Sequence, residues 1–124
     1  IMAAAVADYR PVNPATDKIK KERETLTIPL ERTADILKSV AGGFIRVGFA
    51  AESSSLEENA RGKLSEKHLD LIVANDITAT DSGFGSDNNR VAFIDRDGAI
   101  ERLPLLSKRE VASRLVDRVV RYLS

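Results

Sequence analysis

An α/β fold is predicted by three features of the sequence. Short β-rich apolar runs alternate with helix-start signals through the middle of the chain, the pattern of strand–helix–strand units with a parallel sheet between helices. Asp97-Gly98 sits between two short apolar stretches and signals a β-hairpin. Ser107 with Glu110 then opens a final amphipathic helix through a capping box.

Taken in order, Ile1-Met2-Ala3-Ala4-Ala5-Val6-Ala7 reads as a buried strand with no polar alternation. A chain that opens inside a core strand is expected to be a fragment whose preceding part is missing. Asp8-Tyr9-Arg10-Pro11 ends this run, and Pro11 and Pro14 keep the next stretch extended or turned. Lys18-Ile19-Lys20-Lys21 and Leu26-Thr27-Ile28-Pro29-Leu30 are expected to pair as a protruding β arm over 18–30, with Pro29 at an edge. Thr33 is the expected N-cap of a helix to about Val40, stopped by Gly42-Gly43.

The run from Phe44 to Ala51 reads as a second strand. A helix to about Lys67 follows, opened by a capping box of Ser54 with Glu57 or Ser55 with Glu58. Leu69 to Ala74 is a third buried strand closed by Asn75-Asp76, and residues 78–90 form a polar, glycine-containing loop. Val91–Ile94 and Ile100–Leu103 make the hairpin. The last helix carries Val111, Leu115, Val116, Val119, Val120 and Leu123 on one apolar face. The sum is a Rossmann-like parallel sheet with flanking helices, a β-hairpin and a protruding β arm.

Composition narrows the function classes. The 124 residues fit one domain or part of one, and 43% hydrophobic content supplies a core. A charged fraction of 31% with net charge zero gives no polybasic footprint for nucleic acid. Without cysteine there is neither a disulfide nor a thiolate metal site, which is compatible with a cytoplasmic location. The lone His68 cannot build a histidine cluster and is expected on the surface. No apolar run approaches the roughly 20 residues of a membrane helix.

Ligands of open parallel sheets bind outside the carboxyl ends of the strands, so the junctions at Asp8, Ala50–Glu52 and Asn75-Asp76 propose one crevice. Asp8 suits ribose hydroxyls or a divalent cation, and the lysines from Lys18 suit phosphates. The same residues suit a strand-end turn and a solvated edge. Gly48 permits close backbone approach to a ligand, and Phe49 either stacks on a base or fills a core. Lys63 and Lys67, four apart, share one helical face that meets either phosphates or solvent. Asn75-Asp76 either binds polar substrate groups or closes a turn. The loop containing Gly83-Phe84-Gly85-Ser86-Asp87-Asn88-Asn89 reads either as a mobile lid or as a simple connection. Gly42-Gly43 follows a helix and precedes a strand, the reverse of the phosphate-binding glycine fingerprints.

Taken together, the motifs Ala4–Pro11, Lys18–Lys21, Val47–Glu52, Lys63-Leu64 with Lys67, Asp70–Asp76, and Phe84 with Ser86–Asn89 run in an order that resembles bacterial phosphopantothenoylcysteine synthetases. The resemblance covers nearly the whole chain and corresponds to the C-terminal part of the synthetase domain. It implies a ligase that activates 4′-phosphopantothenate with CTP and magnesium as an acyl-cytidylate. The amine of cysteine then displaces CMP on the way to coenzyme A. Met2, Ala3 and Ala4, the carboxylate of Asp8, the segment Ala34, Asp35, Ile36 and Leu37, and the side chains of Phe49, Lys63 and Lys67 match nucleotide-contacting positions. Lys18 matches the catalytic lysine that converts the acyl-nucleotide.

Thr33-Ala34-Asp35-Ile36 departs from the family's Asn-Pro-Asp-Ile, which leaves the contacts of that loop less defined. The resemblance also implies a homodimer, an upstream half that completes the site, and in many relatives a fused flavin-dependent decarboxylase whose FMN does not bind here. Without the upstream half, this part is expected to be inactive. Two other readings stand beside the ligase: a non-catalytic nucleotide-binding or dimerisation module, and a Rossmann-like oxidoreductase domain. The absent glycine fingerprint counts against the oxidoreductase.

Overall fold

The computed structural model describes residues 1–20, 24–52, 55–76, 78 and 85–124. In chain order the elements are β1 (Tyr9–Pro11), β2 (Leu30–Arg32), α1 (Ile36–Ser39), β3 (Val47–Glu52), α2 (Leu56–Glu66), β4 (Leu71–Asp76), β5 (Asn88–Asn89), β6 (Val91–Asp95), β7 (Ile100–Arg102), β8 (Leu106–Ser107) and α3 (Lys108–Leu123). The central sheet runs β3-β4-β6-β7. β3 and β4 are parallel, in register from Val47 opposite Leu71 to Glu52 opposite Asp76, and α2 is their crossover. β6 and β7 add an antiparallel hairpin, turned by Asp97 and a positive-φ Gly98. The expected α/β sheet with flanking helices is present, and it is mixed rather than parallel throughout.

β4 is apolar without alternation because both of its faces are covered. Leu71 and Val73 join Val47, Val91 and Phe93 in a core closed by Leu103 and by Val111 and Leu115 of α3. Ile72 and Ala74 join Ala50 and Ile94 against Leu69 and the Ala60 and Leu64 of α2. Gly48 lies within the second layer. A Cβ there would meet Leu69 Cδ1 at 2.7 Å and Leu37 Cδ1 at 3.5 Å. Gly48 is therefore a packing glycine, and the close approach it permits is to Leu69 rather than to a ligand.

Several local expectations are corrected. The run 1–7 makes a single parallel bridge, Met2 to Gly48, with Met2 N donating to Val47 O at 2.9 Å. The rest of the run is exposed, because the described residues supply no second layer over it. The arm is rooted earlier than predicted. Its ladder is β1 with β2, from Tyr9 opposite Arg32 to Pro11 opposite Leu30. No strand forms among the described residues of 18–29, and Lys21 lies outside the described residues.

Thr33 does not cap α1. Its hydroxyl donates to Ala7 O at 2.6 Å, and Asp35 is the N-cap instead, accepting from Lys38 N at 3.1 Å. Ser55 precedes α2 in a left-handed conformation and makes no side-chain cap bond, so its box with Glu58 is absent. Glu57 pairs with Arg102 of β7, and the alternative box from Ser54 lies outside the described residues.

The loop expected over 78–90 ends earlier, because β5 pairs with β8. Its proposed lid residues 79–84 lie outside the described residues. The Ser107–Glu110 capping box forms as predicted. The apolar stripe of α3 divides: Val111 and Leu115 are buried and Val119 packs beside them, while Val116, Val120 and Leu123 stay exposed. The far end of α3 is held by polar contacts. Asp95, nearly buried, accepts from Arg118 Nη1 at 3.0 Å and from the Tyr122 hydroxyl, and Arg118 also pairs with Glu101. A carboxylate removed from water needs such partners. Burial, then the Asp95 carboxylate, pushes the Tyr122 phenol well above its ordinary range.

Gly48→Ala should force Leu69 out of its rotamer and cost about 1–3 kcal/mol, the usual range for overpacking a tight core. Urea unfolding should show a lower midpoint at unchanged slope. A variant as stable as the parent would contradict the packing role.

Candidate functional site

A cleft of about 510 Å³ opens beside β3, between the segment 2–9, the segment 32–37 and the C-terminal half of α2. Three chain segments meet there because specific bonds fasten them. Thr33 N donates to Asp8 O at 2.9 Å while its hydroxyl holds Ala7 O, so residues 7 and 8 are tied to the start of the α1 wall. Asp35 caps α1 with one oxygen and takes the ammonium of Lys67 on α2 with the other, at 3.1 Å. Lys38 reaches Glu66 at 3.6 Å across the same gap.

Most residues singled out from the sequence line this cleft. Met2, Ala4 and Asp8 form one side, and Ala34, Asp35, Ile36 and Leu37 form the second. Lys63 comes from α2 and Lys67 from its C-cap, and Phe49, 40% exposed, from β3. Ala3 faces a neighbouring apolar groove of about 340 Å³ with Ile1, Val40 and Phe44. Lys18 is exposed on the arm and does not line the cleft within one chain. Asn75 and Asp76 end β4 and also lie outside the lining. The Asn75 side-chain oxygen is nonetheless buried with no hydrogen-bond partner among the described residues, as is that of Asn89. Leaving such an acceptor dry costs about 1–3 kcal/mol, which a donor from a ligand would offset.

The lining also includes Arg32 and Glu66, which sequence reasoning passed over, and Tyr9, which it quoted within a motif but gave no role. Arg32 and Tyr9 were legible only through pairing: they stand opposite each other, 23 positions apart, in a ladder whose register no local pattern sets. The charged lining balances, with Arg32, Lys63 and Lys67 set against Asp8, Asp35 and Glu66.

Among the described residues no group of three or more His, Cys, Asp or Glu could hold a metal alone. A magnesium ion that arrives with a triphosphate needs only one or two carboxylates and keeps several waters. Asp8 fits that role, since it lines the cleft and makes no ion pair with a described cation within 4 Å.

The Asp35 carboxyl lies below its ordinary value, first because the Lys38 amide donates to it and further because Lys67 stands beside it, with partial desolvation acting the other way. A carboxyl depressed in the folded state stabilises it above the unfolded value, and that contribution is lost as pH falls through the folded value. Carbon-detected titration of Asp35 should give a midpoint below that of an unfolded peptide. Asp35→Asn should flatten the acid side of the stability profile between those two values. A midpoint at or above the peptide value would contradict the arrangement.

Comparison with known proteins places this geometry in a family. Residues 1–123 match the model of the DNA/pantothenate metabolism flavoprotein C-terminal domain. The chain is 43% identical over 122 residues to the coenzyme A biosynthesis bifunctional protein CoaBC of Bacillus subtilis, covering 96% of this chain and 30% of that protein. It is 42% identical over 128 residues to CoaBC of Escherichia coli K12, covering 97% and 31%. The crystal structure of the C-terminal domain of a CoaBC superposes with a TM-score of 0.73 at 38% identity, covering 97% of this chain and 52% of that one. The chain thus spans about a third of the curated relatives and about half of the solved domain. With its sheet, crossover and cleft in place, it belongs to the family of DNA/pantothenate metabolism flavoprotein C-terminal domains.

Proposed function

We propose that this chain is the C-terminal part of a phosphopantothenate–cysteine ligase acting in coenzyme A biosynthesis, with CTP as the activating nucleotide. The reading is carried by the cleft, which gathers Met2, Asp8, Asp35, Phe49, Lys63 and Lys67 from four separated segments. High identity to CoaBC proteins along almost the whole chain supports the same reaction class.

In this reading Phe49 lies against the base, Asp8 holds ribose hydroxyls or the magnesium, and Lys63 and Lys67 offset triphosphate charge. Magnesium, when bound, spreads the charge of the phosphates. The carboxylate of 4′-phosphopantothenate attacks the α-phosphorus and pyrophosphate leaves. The amine of cysteine then attacks the acyl carbon, and the C–O bond to CMP breaks. Positioned cations lower the barrier of the first step by matching charge that develops there. Lys67 is held by Asp35, so phosphate entry exchanges one anionic partner for another. Asn75 and Asp76 serve the substrate end, where the amide oxygen of Asn75, without a partner among the described residues, suits an N–H donor.

Lys18, carried on the arm, acts on the acyl-nucleotide. The arm carries Val12, Ile19, Leu26, Ile28 and Leu30 about half exposed, and an isolated two-stranded hairpin is marginal in water. A second copy of the chain is the proposed cover, giving a homodimer in which the arm reaches the neighbouring cleft. The upstream half of the synthetase completes the site, and a fused flavin-dependent decarboxylase keeps its FMN outside this segment. Cytoplasmic location follows from the pathway.

The same exposed apolar arm also suits a dimerisation module without catalysis. Adding CTP and magnesium to the chain joined to its upstream half separates the two: the ligase releases pyrophosphate when 4′-phosphopantothenate is present, and a scaffold does not. Lys18→Gln in that assembly should retain pyrophosphate release and slow product formation by about 10²-fold or more, the scale of a lost polar catalytic group. Unimpaired product formation would contradict the role of Lys18.

A further inference from the structure

We propose that Arg32 is a phosphoryl-binding residue of the cleft, gripping a phosphate of one of the two phosphorylated substrates; the assignment rests on the ligase reading above. Successive cross-strand pairs of a β ladder point to opposite faces. In β1–β2 the pair Arg10 and Glu31 closes an ion pair of 2.8 Å on one face. The next pair, Tyr9 and Arg32, stands on the other face, and both residues line the cleft. The ladder therefore sorts its two arginines, one neutralised outside and one delivered to the site.

The partners of Arg32 distinguish it from the neighbouring lysine. Lys67 already holds a carboxylate at 3.1 Å. Arg32 forms no ion pair within 4 Å with any described carboxylate, and Tyr9, its cross-strand partner, lines the cleft with it. Asp8 and Glu66 are near enough to favour its charged form without bonding to it. The backbone beside it is pinned, since Thr33 bonds both Asp8 O and Ala7 O. A guanidinium fork carried on this tied backbone matches the oxygens of a phosphoryl group, where an ammonium offers only a point charge. The shared chemistry is a phosphoryl dianion, supplied either by the nucleoside triphosphate or by the phosphate monoester of 4′-phosphopantothenate.

Steady-state kinetics of the chain joined to its upstream half decide the point. Arg32→Gln should raise KM for one phosphorylated substrate about 10- to 100-fold, the effect of losing a charge-assisted hydrogen-bond pair, while kcat moves by less than about threefold. KM for cysteine, which carries no phosphate, is the internal control and should stay within about twofold. A rise confined to CTP assigns the triphosphate, and a rise confined to 4′-phosphopantothenate assigns the monoester. Arg32→Lys should recover part of the loss, because the charge returns without the fork. If Arg32→Gln fails to fold, Arg32→Lys is read for the same split at smaller size. Unaltered KM values for both phosphorylated substrates overturn the assignment. So does a parallel change in all three KM values and in kcat that Lys does not rescue. Absence of product from the unsubstituted enzyme sinks the ligase reading, whereas normal KM values in an active Arg32→Gln enzyme sink only the role of Arg32.

Discussion

Thr33 and Asp35 extend what the β1–β2 ladder begins and tie the walls of the cleft to one another. Thr33 spends its amide and hydroxyl on Asp8 O and Ala7 O, and Asp35 divides its two oxygens between the α1 amide of Lys38 and the ammonium of Lys67. α1 is only four residues long, far below the length at which a helix persists alone. It stands because Asp35 caps it, a contribution of about 1 kcal/mol, and because Leu37 packs toward Gly48 and Leu69. The Asp35–Lys67 pair is partly exposed and is worth little as stability. Its consequence is positional: it sets the distance between the two walls of the cleft.

That arrangement bears on how the cleft exchanges ligands. Its charged lining is balanced, so an entering polyanion that takes Lys67 must displace Asp35 or bring its own cation. In the proposed reading, magnesium entering with the triphosphate would do the second, with the Asp8 carboxylate as its protein contact. Displacement of Asp35 from Lys67 would do the first. The same step would loosen the cap on α1, so occupancy of the cleft and order in its wall are physically linked.

Sequence legibility followed the range of each interaction. The Asp97-Gly98 hairpin, the Ser107–Glu110 box and the continuous apolar run of β4 depend on neighbours within a few residues or on burial of both faces, and all three form as read. Thr33 looked like an N-cap because that chemistry is local, yet its hydroxyl was claimed by Ala7, 26 positions away. Glu57 was drawn to Arg102 in the same manner, and Ser55 turned left-handed. The run 1–7 has the composition of a buried strand, and a strand is buried only where a second layer exists. On α3 the period showed one wide stripe, but only its Val111–Leu115–Val119 edge reaches the sheet, since Arg118 and Tyr122 are pulled to Asp95. In the site, residue types drew attention to Asp8, Phe49, Lys63 and Lys67. Arg32 drew none, because its direction is set by a ladder whose register no local pattern reveals.

The central claim is that one anionic ligand is received by the cleft beside β3. Backbone amide shifts recorded during titration of the chain joined to its upstream half with CTP and magnesium test it most directly. The expected result is saturable shifts concentrated at Met2, Ala4, Asp8, Asp35, Phe49, Lys63 and Lys67, with the signal of Lys38 moving as Lys67 leaves Asp35. Saturable shifts confined to the opposite edge of the sheet, around Glu101 of β7 and Arg114 and Arg118 of α3, with the cleft residues unmoved, would contradict it.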